Sequence, residues 1–214
     1  MIDKDTKLYG SFSIKAGSVG CRIFNTSFKY DNINAIYKSF SVNNIEEAIN
    51  SAKCLSFSGF AVSMPFKSQI IKFLDETDEV VKKVGTCNTV LIKDNKLIGF
   101  NTDYLAIESF LSNVDDLKFI YILGNGCYSK NVQYYCNQNN INFKVINRKI
   151  WNEILSIKNS IIFNCTPVDD IKYDKSNFFI DCINTSNTGN KLAKLQASIQ
   201  YKIYTGLEFP LSID

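Results

Sequence analysis

The stretch "SMPFKSQIIKFLDE", residues 63–76, sets a proline, an aromatic and a lysine ahead of Ile70, Ile71 and Leu74 at helical spacing. Its lysine, Lys67, gains weight from a gap in the composition: the 214-residue chain contains no histidine. Ser–His–Asp and Cys–His mechanisms are therefore excluded, and so is the commonest metal ligand. Acid–base chemistry must fall to Lys, Asp, Glu, Tyr or Cys. Two further polar clusters, "VGTCNTV" (84–90) and "GFNTDY" (99–104), bring Asn88, Thr102 and Asp103 to the ends of apolar segments. Side chains at such ends converge on clefts. Taken singly, Asn and Thr there also serve as caps and turn residues.

A second constellation lies further along. "ILGNGCYSKNV" puts Gly124 and Gly126 between an apolar strand and a helix, with Cys127 next in the loop. Glycine lets the backbone turn tightly and approach a pyrophosphate at a helix N-terminus. The third glycine of GxGxxG is absent, and the motif alone serves a plain strand–turn–helix equally well. About 20 residues on, where an NAD site carries an acidic residue for the ribose, the chain reads Asn147-Arg148-Lys149. A guanidinium there suits a 2′-phosphate, which favours NADP over NAD. Two solvated cations at a strand end would look the same.

The elements that must position these residues alternate. Strand-like segments at 7–12, 34–40 and 59–64 are separated by helix-like ones at 20–30 and 43–55, the latter with Asn43 as N-cap and Glu46 three residues on. The segment opened by "PFK" reads as a helix, with Lys67 near its positive dipole end. "NTVLIK" and "KLIGF" flank Asp94-Asn95, a hairpin signal. After a helix at 103–113 come strands at 118–123, 142–148, 160–165, 178–183 and 201–206, with a helix at 129–138. Strands alternating with helices predict an α/β fold. The expected division is an N-terminal α/β substrate domain, 1–102, and a Rossmann-type parallel sheet with helices on both faces, 103–214.

Bulk composition excludes several classes. The net charge of +3 is spread along the chain, so no basic stripe for nucleic acid stands out. No run approaches the ~20 apolar residues of a membrane span. "MIDKDTK" lacks the apolar core of a signal peptide, so a cytoplasmic protein is expected. Seven cysteines without a CxxC pair argue against zinc or a disulfide framework.

Taken together and in order, these clusters resemble the shikimate dehydrogenase family, whose members reduce 3-dehydroshikimate to shikimate with NADPH. The family's VT(I/V)PxK is similar to "VSMPFK", its GAxNT to "GTCNT" and its GxNTD to "GFNTD". Its serine-containing substrate loop resembles "AGSVGCRIFN", and its glycine loop, NRT clamp and N-A-T-P strand end resemble "GNGCYS", "NRK" and "NCTPV". The resemblance implies Lys67 and Asp103 as the catalytic pair. It implies Ser18 and Ser63 at the substrate carboxylate or ring hydroxyls, with Asn88 and Thr102 orienting the ring. Gly124, Gly126, Cys127, Asn147, Arg148, Lys149, Thr166 and Gly206 would line the NADP site. No metal is implied, and the working form would be a monomer or homodimer.

Two departures stand out. Asn184 falls where the family's D-x-x-Y-x-P segment carries a substrate-contacting Tyr. Aligning the terminal G-L-x-M-L-V-x-Q segment with "GLEFPLSI" puts Ile213 where a substrate-binding Gln belongs, and leaves no closing helix returning to the first domain. Losing such a buried partner costs about 1–3 kcal/mol. A quinate-type dehydrogenase, or a paralogue that binds without turnover, therefore stays open beside the principal reading.

Overall fold

Alternation of apolar residues builds β1 (Lys7–Ser13), with Leu8 and Phe12 packed in one cluster and Tyr9 in another. In the computed structural model, which describes residues 2–212, β1 pairs in parallel with β2 (Ala35–Ser41) and β3 (Phe57–Val62). Beyond β3 the sheet turns mixed. Strand β5 (Thr89–Lys93) runs antiparallel to β3 and returns as β6 (Lys96–Phe100), with the two-residue β4 (Glu76–Thr77) parallel to β6 at the edge. The order is β2-β1-β3-β5-β6-β4. The β5–β6 hairpin is closed by Asp94 and Asn95 at φ 50° and 61°, the left-handed pair of a type I′ turn.

Helices pack on this sheet through its two apolar clusters. One joins Phe12, Phe60 and Val62 to Ile45, Ala48, Ile49 and Ala52 of α2 (Ile45–Cys54). The other joins Tyr9 and Tyr37 to Phe24 and Phe28 of α1 (Val19–Tyr30). Helix α2 starts one residue later than the capping-box reading placed it. Asn44, not Asn43, is the cap, and its Oδ1 accepts from the N–H groups of Glu46 and Glu47 at 2.9 and 3.4 Å.

The "PFK" segment is not the expected α-helix. A cis Met64–Pro65 bond and a run of turns lead into a four-residue 3-10 turn, Ile70–Phe73. The carbonyl of Lys67, which a helix would offer to residue 71, instead accepts the Cys87 N–H at 2.8 Å. Burial of Phe66 and Ile70 fixes this path. The dipole argument for Lys67 loses its basis with the helix.

After α3 (Glu79–Val84), helix α4 (Thr102–Leu111) leads into a second sheet. It is all parallel, in the order β10-β9-β7-β8, with β7 Phe119–Leu123, β8 Asn142–Ile146, β9 Ile161–Asn164 and β10 Phe178–Asp181. Helix α5 (Cys127–Gln138) is the crossover from β7 to β8. Leu123, Ile146 and Ile162 pack with Ile154 of the 3-10 segment Arg148–Ser156. The chain moves outward from β7 to β8, then back across to β9. This reversal is a topological switch point, at which loops beyond the strand ends leave a crevice.

The predicted strand at 201–206 is also corrected. Residues Asn187–Thr205 form one helix, α6. Contacts divide the chain into two units: residues up to Thr102 with Ala197–Ser212, and Asp103–Gln196. The C-terminal half of α6 thus belongs to the first unit, because Ala197, Tyr201 and Tyr204 are buried against Tyr9, Phe24 and Phe28. A fully buried large apolar side chain such as Phe24 or Phe28 contributes about 1.5–3 kcal/mol. The chain therefore does return to the first unit. Ile213 lies outside the described residues. No helix among them is long and apolar enough to cross a membrane.

Candidate active site

In the first unit, β3 and β6 run parallel to β1 and β5 runs against them. The ends of β1, β3 and β6 and the start of β5 therefore share one edge of the sheet. Ser18 follows β1 as the exposed residue before α1, and its hydroxyl makes no capping bond. Ser63 follows β3 directly, exposed, with its N–H on the Phe12 carbonyl at 3.0 Å. Lys67 is half-buried four residues later.

Asn88 opens β5 and Thr102 follows β6, and both are buried. The Thr102 N–H donates to Asn88 Oδ1 at 2.8 Å, and Asn88 Nδ2 donates to Thr102 Oγ1 at 2.9 Å. A backbone N–H can only donate, so the Asn88 amide has one orientation. Beside them, Asn101 Nδ2 donates to the carbonyl and the hydroxyl of Thr86, both at 3.0 Å. Asp78 caps α3 through Oδ1 and accepts the Asn101 N–H through Oδ2 at 3.1 Å. Asn88 and Thr102 therefore tie strand ends together as well as standing at the edge where the substrate residues were expected.

In the second unit, three loops gather beyond β7, β8 and β9. Gly124 has φ 91°, and a Cβ there would lie 2.6 Å from Thr166 Cγ2. The glycine loop and the loop after β9 are thus in direct contact, with no room for a side chain between them. Gly126 is the N-cap of the 12-residue α5, whose first-turn N–H groups have no acceptor within the helix. In place of a third glycine stands Ser129, small and fully buried, with its Oγ accepting from Gln133. Asn164, fully buried, fixes the loop after β9. Its Oδ1 accepts from Thr166 N and Oγ1 at 2.9 and 2.7 Å, and its Nδ2 donates to Val168 O and Asp181 Oδ1 at 3.0 Å each.

Asn147 caps the segment after β8, its Oδ1 accepting the Lys149 N–H at 2.8 Å. Arg148 and Lys149 are exposed and enter no ion pair among the described residues. Gly206 follows α6 in the first unit, its N–H on the Lys202 carbonyl. Asp103 occupies the first turn of α4, 4% exposed, as the first residue of the second unit. Burial pushes the Tyr128 phenol well above its ordinary range, and the negative charge of Asp103 pushes it further.

Known proteins share this arrangement. Residues 14–90 match the model of the shikimate dehydrogenase substrate binding domain. Over 205 residues the chain is 32% identical to the NADP(+) shikimate dehydrogenase of Clostridium beijerinckii, covering 85% of this chain and 76% of that one. The chain belongs to the shikimate dehydrogenase family. Among solved structures, the shikimate dehydrogenase of Aquifex aeolicus superposes with a TM-score of 0.83 at 26% identity, over 100% of this chain and 97% of that one. A shikimate dehydrogenase in complex with NADP+ superposes with a TM-score of 0.79, also at 26% identity, over 97% and 93%.

The Gly-to-Gln spacing of the family's terminal segment, G-L-x-M-L-V-x-Q, also occurs at Gly189 and Gln196, inside α6. A Cβ on Gly189 would lie 2.0 Å from the Ile183 carbonyl oxygen, so the helix start admits glycine alone. Sequence reasoning passed over Asn164 and Gln200, whose hydrogen-bond partners lie up to 111 residues away.

Proposed function

We propose that this chain interconverts 3-dehydroshikimate and shikimate with NADP(H), in the cytoplasm. The observation that carries the reading is the gathering of Ser18, Ser63, Lys67, Asn88 and Thr102 on one edge of one sheet. The serine hydroxyls hold the substrate carboxylate. Asn88 has given one Nδ2 hydrogen to Thr102 and keeps the other for a ring oxygen. Lys67 supplies the proton as charge develops on the ketone oxygen, and Asp103 is the matching carboxylate. Gln196 is the substrate-side amide in place of Ile213.

The second unit fits NADP. A glycine loop that a Cβ would obstruct, the N-terminus of α5 and the exposed Arg148 match a pyrophosphate and a 2′-phosphate. Cys127, Asn147, Lys149 and Thr166 line the same loops. Bound NADPH supplies the hydride. Arg148 and the α5 N-terminus hold its phosphates, and Asn164 keeps Thr166 against the glycine loop.

Asn184 in place of the family's tyrosine favours one competing reading, a shifted ring substrate such as quinate. Steady-state rates with shikimate and quinate, each with NADP and NAD, separate the two. Shikimate with NADP should give the highest kcat/KM. A higher value with quinate would replace the principal reading, and no turnover with any combination would leave a binding protein.

A further inference from the structure

We propose that Cys165 and Cys182, at the ends of β9 and β10, form a redox-modification site: a peroxide joins them in a disulfide that loosens the cofactor loops. The bridge stands on the geometry of the second unit alone. Its effect on the cofactor rests on the proposed function above.

Strand register brings the two side chains together. In the parallel pair β9–β10, Asn164 stands opposite Asp181. The Cys182 N–H donates to the Asn164 carbonyl at 3.1 Å, and the Cys165 N–H to the Leu123 carbonyl at 3.0 Å. The ladder therefore runs one step past the strands and sets Cys182 beside Cys165. The side chains of Asn164 and Asp181 bond each other at 3.0 Å. Side chains alternate along a strand, so both cysteines project from the opposite face. Phe163 shares that face, and its ring meets the Tyr128 ring of α5 at 6.2 Å. Cys182 Sγ lies 3.8 Å from the Thr166 carbonyl oxygen, so it leans over the segment that leaves Cys165. Burial pushes the Cys165 thiol well above its ordinary range, and Cys182 pushes it further. Both thiols are partly exposed, whereas Cys87 and Cys136 are buried.

The spacing suits a bridge. Adjacent strands lie about 4.8 Å apart, within the Cα separation of about 4.4–6.8 Å that a disulfide spans. The two Cβ atoms must close to about 3.8 Å, a movement of about 1 Å at two strand ends. Hydrogen peroxide takes two electrons from the pair. Both S–H bonds and the O–O bond break, one S–S bond forms, and two waters leave.

Topology sets the consequence. Strand β9 lies between β10 and β7. Drawing Cys165 toward β10 draws the next residue, Thr166, away from β7 and from Gly124. Thr166 Cγ2 now fills the space a Cβ on Gly124 would need, 2.6 Å from it. Oxidation therefore opens the contact between the glycine loop and the loop after β9, and cofactor affinity falls. By reciprocity, bound NADP opposes the bridge.

The test treats the reduced full chain, Cys165→Ser and Cys182→Ser with hydrogen peroxide. Joined peptides are read by mass spectrometry without reductant, and Kd for NADP by calorimetry. The wild type should lose two of its seven thiols and yield the Cys165–Cys182 peptide pair, two hydrogens lighter than its parts. Its Kd for NADP should rise about 5-fold or more, and dithiothreitol should restore it. Either serine variant should keep its untreated Kd after peroxide, and saturating NADP should slow the joining in the wild type. A bridge through Cys127 or Cys136 instead, sulfinic acids without a bridge, a bridged chain with unchanged Kd, or an equal rise in the serine variants would overturn the proposal. Should one serine variant not fold, the other decides. A reduced chain that binds no NADP refutes the functional reading, and the joined peptides then decide the bridge by themselves.

Discussion

Arg148 is an exposed guanidinium at the end of β8, with no carboxylate to neutralise it among the described residues, beside a loop system suited to a pyrophosphate. On the proposed NADP reading Arg148 holds the 2′-phosphate dianion by charge-assisted, bidentate bonds, worth about 1.5–3 kcal/mol. Arg148→Ala should raise KM for NADP about 10- to 100-fold and leave KM for NAD nearly unchanged. Equal effects on both cofactors would mean that Arg148 is a solvated cation only. Counting from the glycine loop singles out Arg148 in the sequence, and the lack of histidine together with a contiguous motif singles out Lys67. Gln200 carries no such mark. Its partner Thr89 is 111 residues away, and no local pattern marks a glutamine on an amphipathic helix as a donor to a buried threonine.

Among the elements, β1 to β3, the β5–β6 hairpin, α4 and the β7–α5–β8 unit were legible, because apolar periodicity and turn residues agree there. The "PFK" helix was misread because its spacing of apolar residues is helical, while its backbone oxygen at Lys67 is claimed by Cys87. Helix α6 was misread because Tyr201, Ile203 and Tyr204 carry strand propensity, which burial against sheet and helix overrides. That burial has a pH consequence. The phenols of Tyr37, Tyr201 and Tyr204 are held above their ordinary range, mainly by desolvation; for Tyr201 the Asp31 carboxylate, which its hydroxyl meets, adds to it. Tyr204 buries its hydroxyl with no hydrogen-bond partner among the described residues. The unfolded chain releases these protons near pH ~10, while the folded chain retains them. Stability is therefore fully present below that pH and falls above it, by about 1.4 kcal/mol per pH unit for each tyrosine so held. Melting temperature should drop steeply between about pH 10 and 11. Tyr201→Phe should lessen the slope, and an unchanged slope would show that this phenol does not contribute.

At the scale of the whole molecule, the sequence reads as two α/β patterns, but the return of α6 to the first unit is not legible in it. Motif spacing locates substrate and cofactor residues along the chain, whereas the return depends on which apolar face finds a partner, and here it is Ala197, Tyr201 and Tyr204 that find one in the first unit. The central claim is that Lys67 does the proton transfer in an NADP-linked shikimate oxidoreductase. Its most direct test follows NADPH formation by absorbance, from shikimate and NADP, in wild type and Lys67→Ala. The account predicts turnover in the wild type and a kcat at least about 100-fold lower in the variant, with KM for NADP unchanged. A variant that turns over shikimate at the wild-type rate would contradict it.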